Sequence, residues 1–178
     1  MPTMLAFDVY GTLIDTHGVV VSLQQVVGVK AEKFARVWRE KQLEYSFRRG
    51  LMRSYETFGV CTSQALDYTC IYLDAGLTTD QKAALMAEYQ CLPAFDDVKE
   101  ALVGLKAAGH SLYAFSNGTS DAIETLLAAA GIRNLFNGVV STDDRHTFKP
   151  NPDVYEHLLK TTAASASDAW LISSNPFD

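Results

Sequence analysis

Met4 to Tyr10 is a short, mostly apolar run stopped by Gly11, the pattern of a strand buried on both faces of a parallel sheet. Asp8 is out of place at the C-terminal end of such a strand unless it is used. From about Thr16 to Pro93 the spacing turns helical, with few β-like runs. Phe34, Val37, Trp38, Leu43 and Phe47 fall near one face of a long helix starting around Lys30. Further helices are predicted over roughly Tyr55–Asp74, broken near Gly59, and Thr79–Tyr89 after Gly76. Beyond Pro93 the pattern alternates. Asp97 with Glu100 suggests a capping box for a helix that ends at Gly109. A strand over Ser111–Ser116, a helix over Thr119–Ala130, a strand over Gly138–Ser141, a helix over Pro152–Thr161 and a strand over Ala169–Ser173 follow. Strand–helix alternation predicts an α/β fold, a doubly wound parallel sheet with right-handed crossovers. The expected organisation is an α/β core of residues 1–15 and 95–178, interrupted by a helical insertion over 16–94. There is no internal repeat.

Composition narrows the function classes. Of 178 residues, 48% are hydrophobic and 20% charged, which suits one globular domain able to bury its own core. A net charge of −6 argues against nucleic acid as a partner. The insertion holds 9 Lys/Arg against 8 Asp/Glu and the rest 6 against 13, so a faintly basic lid over an acidic core could draw in a small anion. The same count is equally what an ordinary charged helical surface carries. No stretch is long and apolar enough for a membrane span, and no signal peptide is visible. Cys61, Cys70 and Cys91 form no C-x-x-C pair, and an odd number speaks against a disulfide framework; reduced thiols in a cytoplasmic protein are expected. The four histidines are scattered and lack metal-ligand spacing, and no metal is expected.

In open parallel sheets, ligands sit beyond the carboxyl ends of the strands. Four polar clusters fall at such ends: Asp8 to Thr12, Ser116-Asn117-Gly118-Thr119, Lys149-Pro150 and Ser173-Ser174-Asn175. One polar strand end means little, but four on the same edge make a site.

Those clusters also carry a resemblance. Phe7-Asp8-Val9-Tyr10-Gly11-Thr12-Leu13 resembles the first motif of the haloacid dehalogenase superfamily, Ser116-Asn117-Gly118 the second and Lys149-Pro150 the third. Ser173-Ser174-Asn175-Pro176-Phe177-Asp178 resembles the fourth, and the helical insertion resembles the superfamily's cap. The implied fold is a Rossmann-like core with an inserted cap. Most members are magnesium-dependent phosphatases with an Asp-x-Asp motif whose second carboxyl protonates the leaving group. Tyr10 stands at that position, and a phenol cannot readily take the role. The fourth motif opens with Ser173-Ser174-Asn175 rather than an aspartate, so the magnesium site departs from that pattern at two places. Both departures, and the segment Val37 to Tyr45 with its arginine, resemble the L-2-haloacid dehalogenase (type II) branch.

The resemblance implies a cofactor-independent hydrolase that converts short (S)-2-haloalkanoic acids to (R)-2-hydroxyalkanoic acids. Asp8 would displace the halide, giving an ester, with Lys149 keeping the carboxylate ionised. Arg39 would meet the departing halide, although taken alone it reads as a helix-surface arginine. Backbone N–H groups of Ser116 and Asn117 would hold the substrate carboxylate, or these two residues simply cap the next helix. Asp178 would activate the water that opens the ester, oriented by Ser173 and Asn175. Thr12 and Tyr155 would fix Asp8 and Lys149 by hydrogen bonds. Tyr10, Leu43, Phe58 and Phe177 would line the pocket, with Phe177 where the branch often has tryptophan and Glu40 where it often has glutamine. The partners implied are a small halogenated carboxylate and halide, with a homodimer through the cap. The branch continues past the fourth motif, so a C-terminal part of the core is expected to be missing after 178. The rival readings are a magnesium-dependent phosphatase of the same superfamily and a catalytically silent truncated homologue.

Overall fold

The computed structural model describes residues 3–178; Met1 and Pro2 of the expected 1–15 segment lie outside the described residues. Four parallel strands, β1 (Met4–Phe7), β2 (Ser111–Ser116), β3 (Gly138–Ser141) and β4 (Ala169–Ile172), form one sheet in the order β3-β2-β1-β4. The α/β fold is that of a Rossmann-like core, as the alternating pattern predicts. β1 stops at Phe7, earlier than expected, because the chain turns: the N–H groups of Leu13 and Ile14 both donate to the Val9 carbonyl. Gly11 occupies the turn at φ +93°, a conformation L side chains rarely adopt. A Cβ there would lie 3.6 Å from Arg39 Nη2.

Between β1 and β2 the chain builds α1 (Val20–Val27), α2 (Ala31–Met52), α3 (Phe58–Tyr72) and α4 (Thr79–Glu88), then α5 (Val98–Ala107). The two segments that lead into and out of this helical unit pair with each other. Asp15 N donates to Pro93 O at 2.9 Å, and Phe95 N to Leu13 O at 3.1 Å. α6 (Ser120–Ala129) and α7 (Pro152–Thr162) complete the crossovers.

Local chemistry accounts for the element ends, with several corrections. Asp97 forms no capping hydrogen bond; its own backbone is already helical (φ −83°, ψ −18°), whereas a capping side chain needs an extended residue. Gly59 does not break a helix, because α3 starts only at Phe58, capped by the Thr57 hydroxyl. On α2, Phe34, Val37 and Trp38 are buried as the periodicity predicts. One turn on, the buried positions are Gln42 and Ser46, while Leu43 and Phe47 are only partly covered. No helix among the described residues is long and apolar enough to cross a membrane.

Candidate active site

Asp8 sits one residue past the end of β1, its backbone N–H donating to Ile172 O at 2.9 Å, so β4 aims its carboxylate out of the sheet edge. Lys149 arrives there from the loop before α7 and is 1% exposed. Asn117 holds that loop in place: its Oδ1 accepts from Lys149 N at 2.9 Å and from the Thr142 hydroxyl at 3.2 Å. The ammonium bridges two carboxylates, Asp8 Oδ1 at 2.6 Å and Asp178 Oδ2 at 2.6 Å, with its third direction toward Phe115 O at 3.5 Å. A buried charge needs such pairing, and here one cation serves two anions.

The second carboxylate oxygen of Asp8 accepts from the Thr12 hydroxyl at 3.0 Å. Thr12 Oγ1 in turn accepts from Ser174 N at 2.9 Å, and Ser174 Oγ donates to Gly11 O at 2.9 Å. Ser174 therefore locks the turn after β1 to the end of β4, a role the sequence signalled only by its place in the polar cluster. Asp178 is held by Ser173 Oγ at 2.8 Å and by Asn175 Nδ2 at 2.8 Å. Ser173 also accepts from Asn175 N at 3.1 Å, which closes the loop on itself.

Arg39 reaches this edge from α2. Its Nη2 donates to Tyr10 O at 2.6 Å and its Nη1 to Gln42 Oε1 at 2.6 Å. Asp8, Tyr10, Arg39, Leu43, Phe58, Ser116, Asn117, Lys149, Asn175 and Asp178 enclose a cavity of about 20 Å³, room for a single water. Tyr10 packs on Phe58 and Tyr89 at ring separations of 5.5 and 5.9 Å. Burial, with the neighbouring Tyr89 phenol adding to it, pushes the Tyr10 hydroxyl well above its usual range, only partly opposed by Arg39.

Three expectations need correction. Phe177 is 70% exposed and lines a separate apolar groove of about 460 Å³ with Phe47, Leu51 and Phe148, because the turn from Asn175 to Asp178 directs its ring outward. Tyr155 makes no hydrogen bond: its hydroxyl is buried without a partner, the Lys149 donors being spent on Asp8, Asp178 and Phe115 O. Burial first, and then the Asp178 charge, push its pKa up to about 12. Neither Ser116 nor Asn117 caps α6; Thr119 does, its hydroxyl accepting from Ala122 N, while Ser116 Oγ accepts from Gly118 N. Glu40 is exposed and faces Arg36, outside the enclosed cavity.

The donor set does not fit a resident magnesium ion. The space between the two carboxylates is taken by the Lys149 ammonium, and Tyr10, in place of a second carboxylate, is committed to an aromatic stack. Among the described residues no group of three His, Cys, Asp or Glu side chains could hold a metal.

The family model for haloacid dehalogenase-like hydrolases matches residues 3–178. The chain belongs to that family. It is 34% identical over 174 residues to the (S)-2-haloacid dehalogenase of Pseudomonas sp. (strain YL), covering 98% of this chain and 75% of that protein. It is also 34% identical over 174 residues to haloacetate dehalogenase H-2 of Moraxella sp. (strain B), covering 98% and 78%. The solved L-2-haloacid dehalogenase of Xanthobacter autotrophicus with chloropropionic acid covalently bound superposes at TM-score 0.93 and 33% identity, over 100% of this chain and 72% of that one. These relatives put the chain in the L-2-haloacid dehalogenase branch of the family.

Proposed function

We propose that this haloacid dehalogenase-like hydrolase cleaves carbon–halogen bonds in short (S)-2-haloalkanoic acids, releasing halide and the (R)-2-hydroxy acid, without a metal. The observation that carries the reading is the Lys149 ammonium held between Asp8 and Asp178, with Arg39 lining the same cavity. In this reading residues 1–15 and 95–178 form the catalytic core and residues 16–94 a cap that carries Arg39.

Asp8 acts as the nucleophile. One carboxylate oxygen attacks C2 of the substrate from the side opposite the halogen, forming a C–O bond as the carbon–halogen pair leaves as halide, with inversion. Lys149 and Thr12 orient the carboxylate with a hydrogen bond to each oxygen. The Arg39 guanidinium stabilises the halide as charge develops on it. Ser116 and Asn117, at the end of β2, take the substrate carboxylate. Asp178, gripped by Ser173 and Asn175, then accepts a proton from water as that water attacks the Asp8 carbonyl carbon. The ester opens, Asp178 returns that proton to the departing alkoxide, the hydroxy acid leaves with the oxygen that Asp8 supplied, and the water's second proton is lost to solvent as the Asp8 carboxyl ionises.

The test is halide release from each enantiomer of 2-chloropropionate in EDTA, with a phosphate ester and magnesium in parallel. Chloride from the (S) form alone, undiminished by EDTA, is the expected result. Magnesium-dependent phosphate release without chloride would overturn the reading.

A further inference from the structure

We propose that Gln42 is a positioning residue for Arg39, and that Gln42, Thr62 and Tyr89 form a buried clamp that presets the guanidinium for the leaving halide. The inference rests on the assignment of Arg39 above and adds what makes that arginine effective.

A free arginine side chain has many rotamers, and holding it at one point costs conformational entropy. Here it is gripped from two sides. The core offers the Tyr10 carbonyl at 2.6 Å and the cap offers Gln42 Oε1 at 2.6 Å. Gln42 lies one turn on from Arg39 along α2 and is 0% exposed. A fully buried carboxamide is costly unless each of its polar atoms is satisfied. Gln42 Oε1 accepts from Arg39 and from the Tyr89 hydroxyl at 3.2 Å, and Nε2 donates to Thr62 Oγ1 at 2.6 Å. The Thr62 hydroxyl in turn donates to Phe58 O at 2.7 Å.

The direction of this relay is forced. A guanidinium has donors only, so a flipped amide would set N–H against N–H and leave the Thr62 oxygen facing a carbonyl oxygen. The scaffold behind it is equally fixed. Trp38 Nε1 donates to Thr62 O at 2.9 Å, tying α2 to α3, and the Tyr89 ring packs between those of Trp38 and Tyr10 at 5.1 and 5.9 Å. An apolar side chain of similar length at position 42 would occupy the same buried position but leave the Tyr89 and Thr62 hydroxyls without that partner. Nor could it hold Arg39. The clamp thus explains a buried polar residue on a helix face that the apolar pattern assigns to core.

The test reads the first chemical step, the rapid halide burst, with 2-chloro-, 2-bromo- and 2-iodopropionate in wild type, Gln42→Met, Thr62→Val, Thr62→Ser and Arg39→Lys. Help to the leaving group matters most where the halide leaves worst. Gln42→Met is therefore expected to slow the chloride burst by about tenfold or more and the iodide burst by much less. Thr62→Val should follow the same trend more weakly, while Thr62→Ser, which keeps the hydroxyl, restores the wild-type ratio. A folded Gln42→Met enzyme with equal losses for all three halides overturns the clamp. Should Gln42→Met not fold, the Thr62→Val to Thr62→Ser ratio decides on the same criterion. Arg39→Lys separates the two assignments: if it shows no dependence on the halide, the Arg39 reading itself falls. If it shows that dependence and the clamp variants do not, only the clamp falls.

Discussion

At the residue scale, the cluster around Lys149 holds the Asp8 carboxylate in one orientation. Asp8 has a donor on each oxygen, from Lys149 and Thr12, so its orientation is set before substrate arrives. Asp8→Asn keeps the shape and removes the nucleophile. Halide release is expected to fall by at least about 10⁴-fold, with circular dichroism and Tm close to wild type. Turnover near normal in a folded Asp8→Asn protein would remove the nucleophile assignment. Arg39→Lys replaces a planar fork that bonds Tyr10 O and Gln42 together by a point charge that cannot span both. Chloride release is expected to drop by about 10²-fold or more, measured with saturating 2-chloropropionate. A near-normal rate would return Arg39 to an ordinary surface role.

At the element scale, the helical unit meets the rest of the fold at Tyr55. Tyr55, in the turn between α2 and α3, donates a short hydrogen bond to Asp143 in the 3-10 turn after β3. Its ring stacks on His146 at 5.4 Å and meets Phe148 at 5.1 Å. Tyr55→Phe keeps the ring contacts and deletes the bond to the carboxylate. The expected loss of stability is about 1–2 kcal/mol by urea titration, with faster amide exchange in the α2–α3 turn. Exchange unchanged there would mean that the bond does not hold the seam closed.

Legibility in the sequence also divides by element. β2 and β3 stand where the pattern puts them, since an apolar run flanked by glycine or asparagine has few other uses. β1 is shorter than its apolar run because Val9 and Tyr10, though buried, serve a turn. Asp8 is readable as a strand-end group; Lys149, expected at a strand end, comes instead from the loop between β3 and α7, and Asp178 is signalled only by the resemblance of the fourth motif. Gln42, Thr62 and Tyr89 are not readable, since they are polar groups buried against the periodicity and joined across 20 and 47 positions of sequence. The outward turn of Phe177 and the unpartnered Tyr155 hydroxyl depend on tertiary geometry that no local pattern encodes.

At the scale of the whole molecule, burial raises the hydroxyl pKa of Tyr10, Tyr55, Tyr89 and Tyr155, the last to about 12. All four are neutral in both folded and unfolded chains at neutral pH and so contribute no pH dependence there. Above about pH 10 the unfolded chain ionises first, binds fewer protons than the folded one, and stability falls through the folded pKa values. Urea midpoints measured from pH 8 to 11 are expected to be flat and then to decline above about pH 10, less steeply in Tyr155→Phe. A midpoint that rises over that range would contradict the burial of these phenols.

In the proposed reaction Asp8 itself becomes bonded to the substrate. Single-turnover hydrolysis of (S)-2-chloropropionate by excess enzyme in H₂¹⁸O, read by mass spectrometry of both product and the Asp8 peptide, tests it most directly. Water that attacks the Asp8 carbonyl leaves ¹⁸O in the Asp8 carboxylate and none in the first-turnover hydroxy acid. Label in the hydroxyl of the product, with Asp8 unlabelled, would mean that water attacks the substrate carbon directly and that no ester forms.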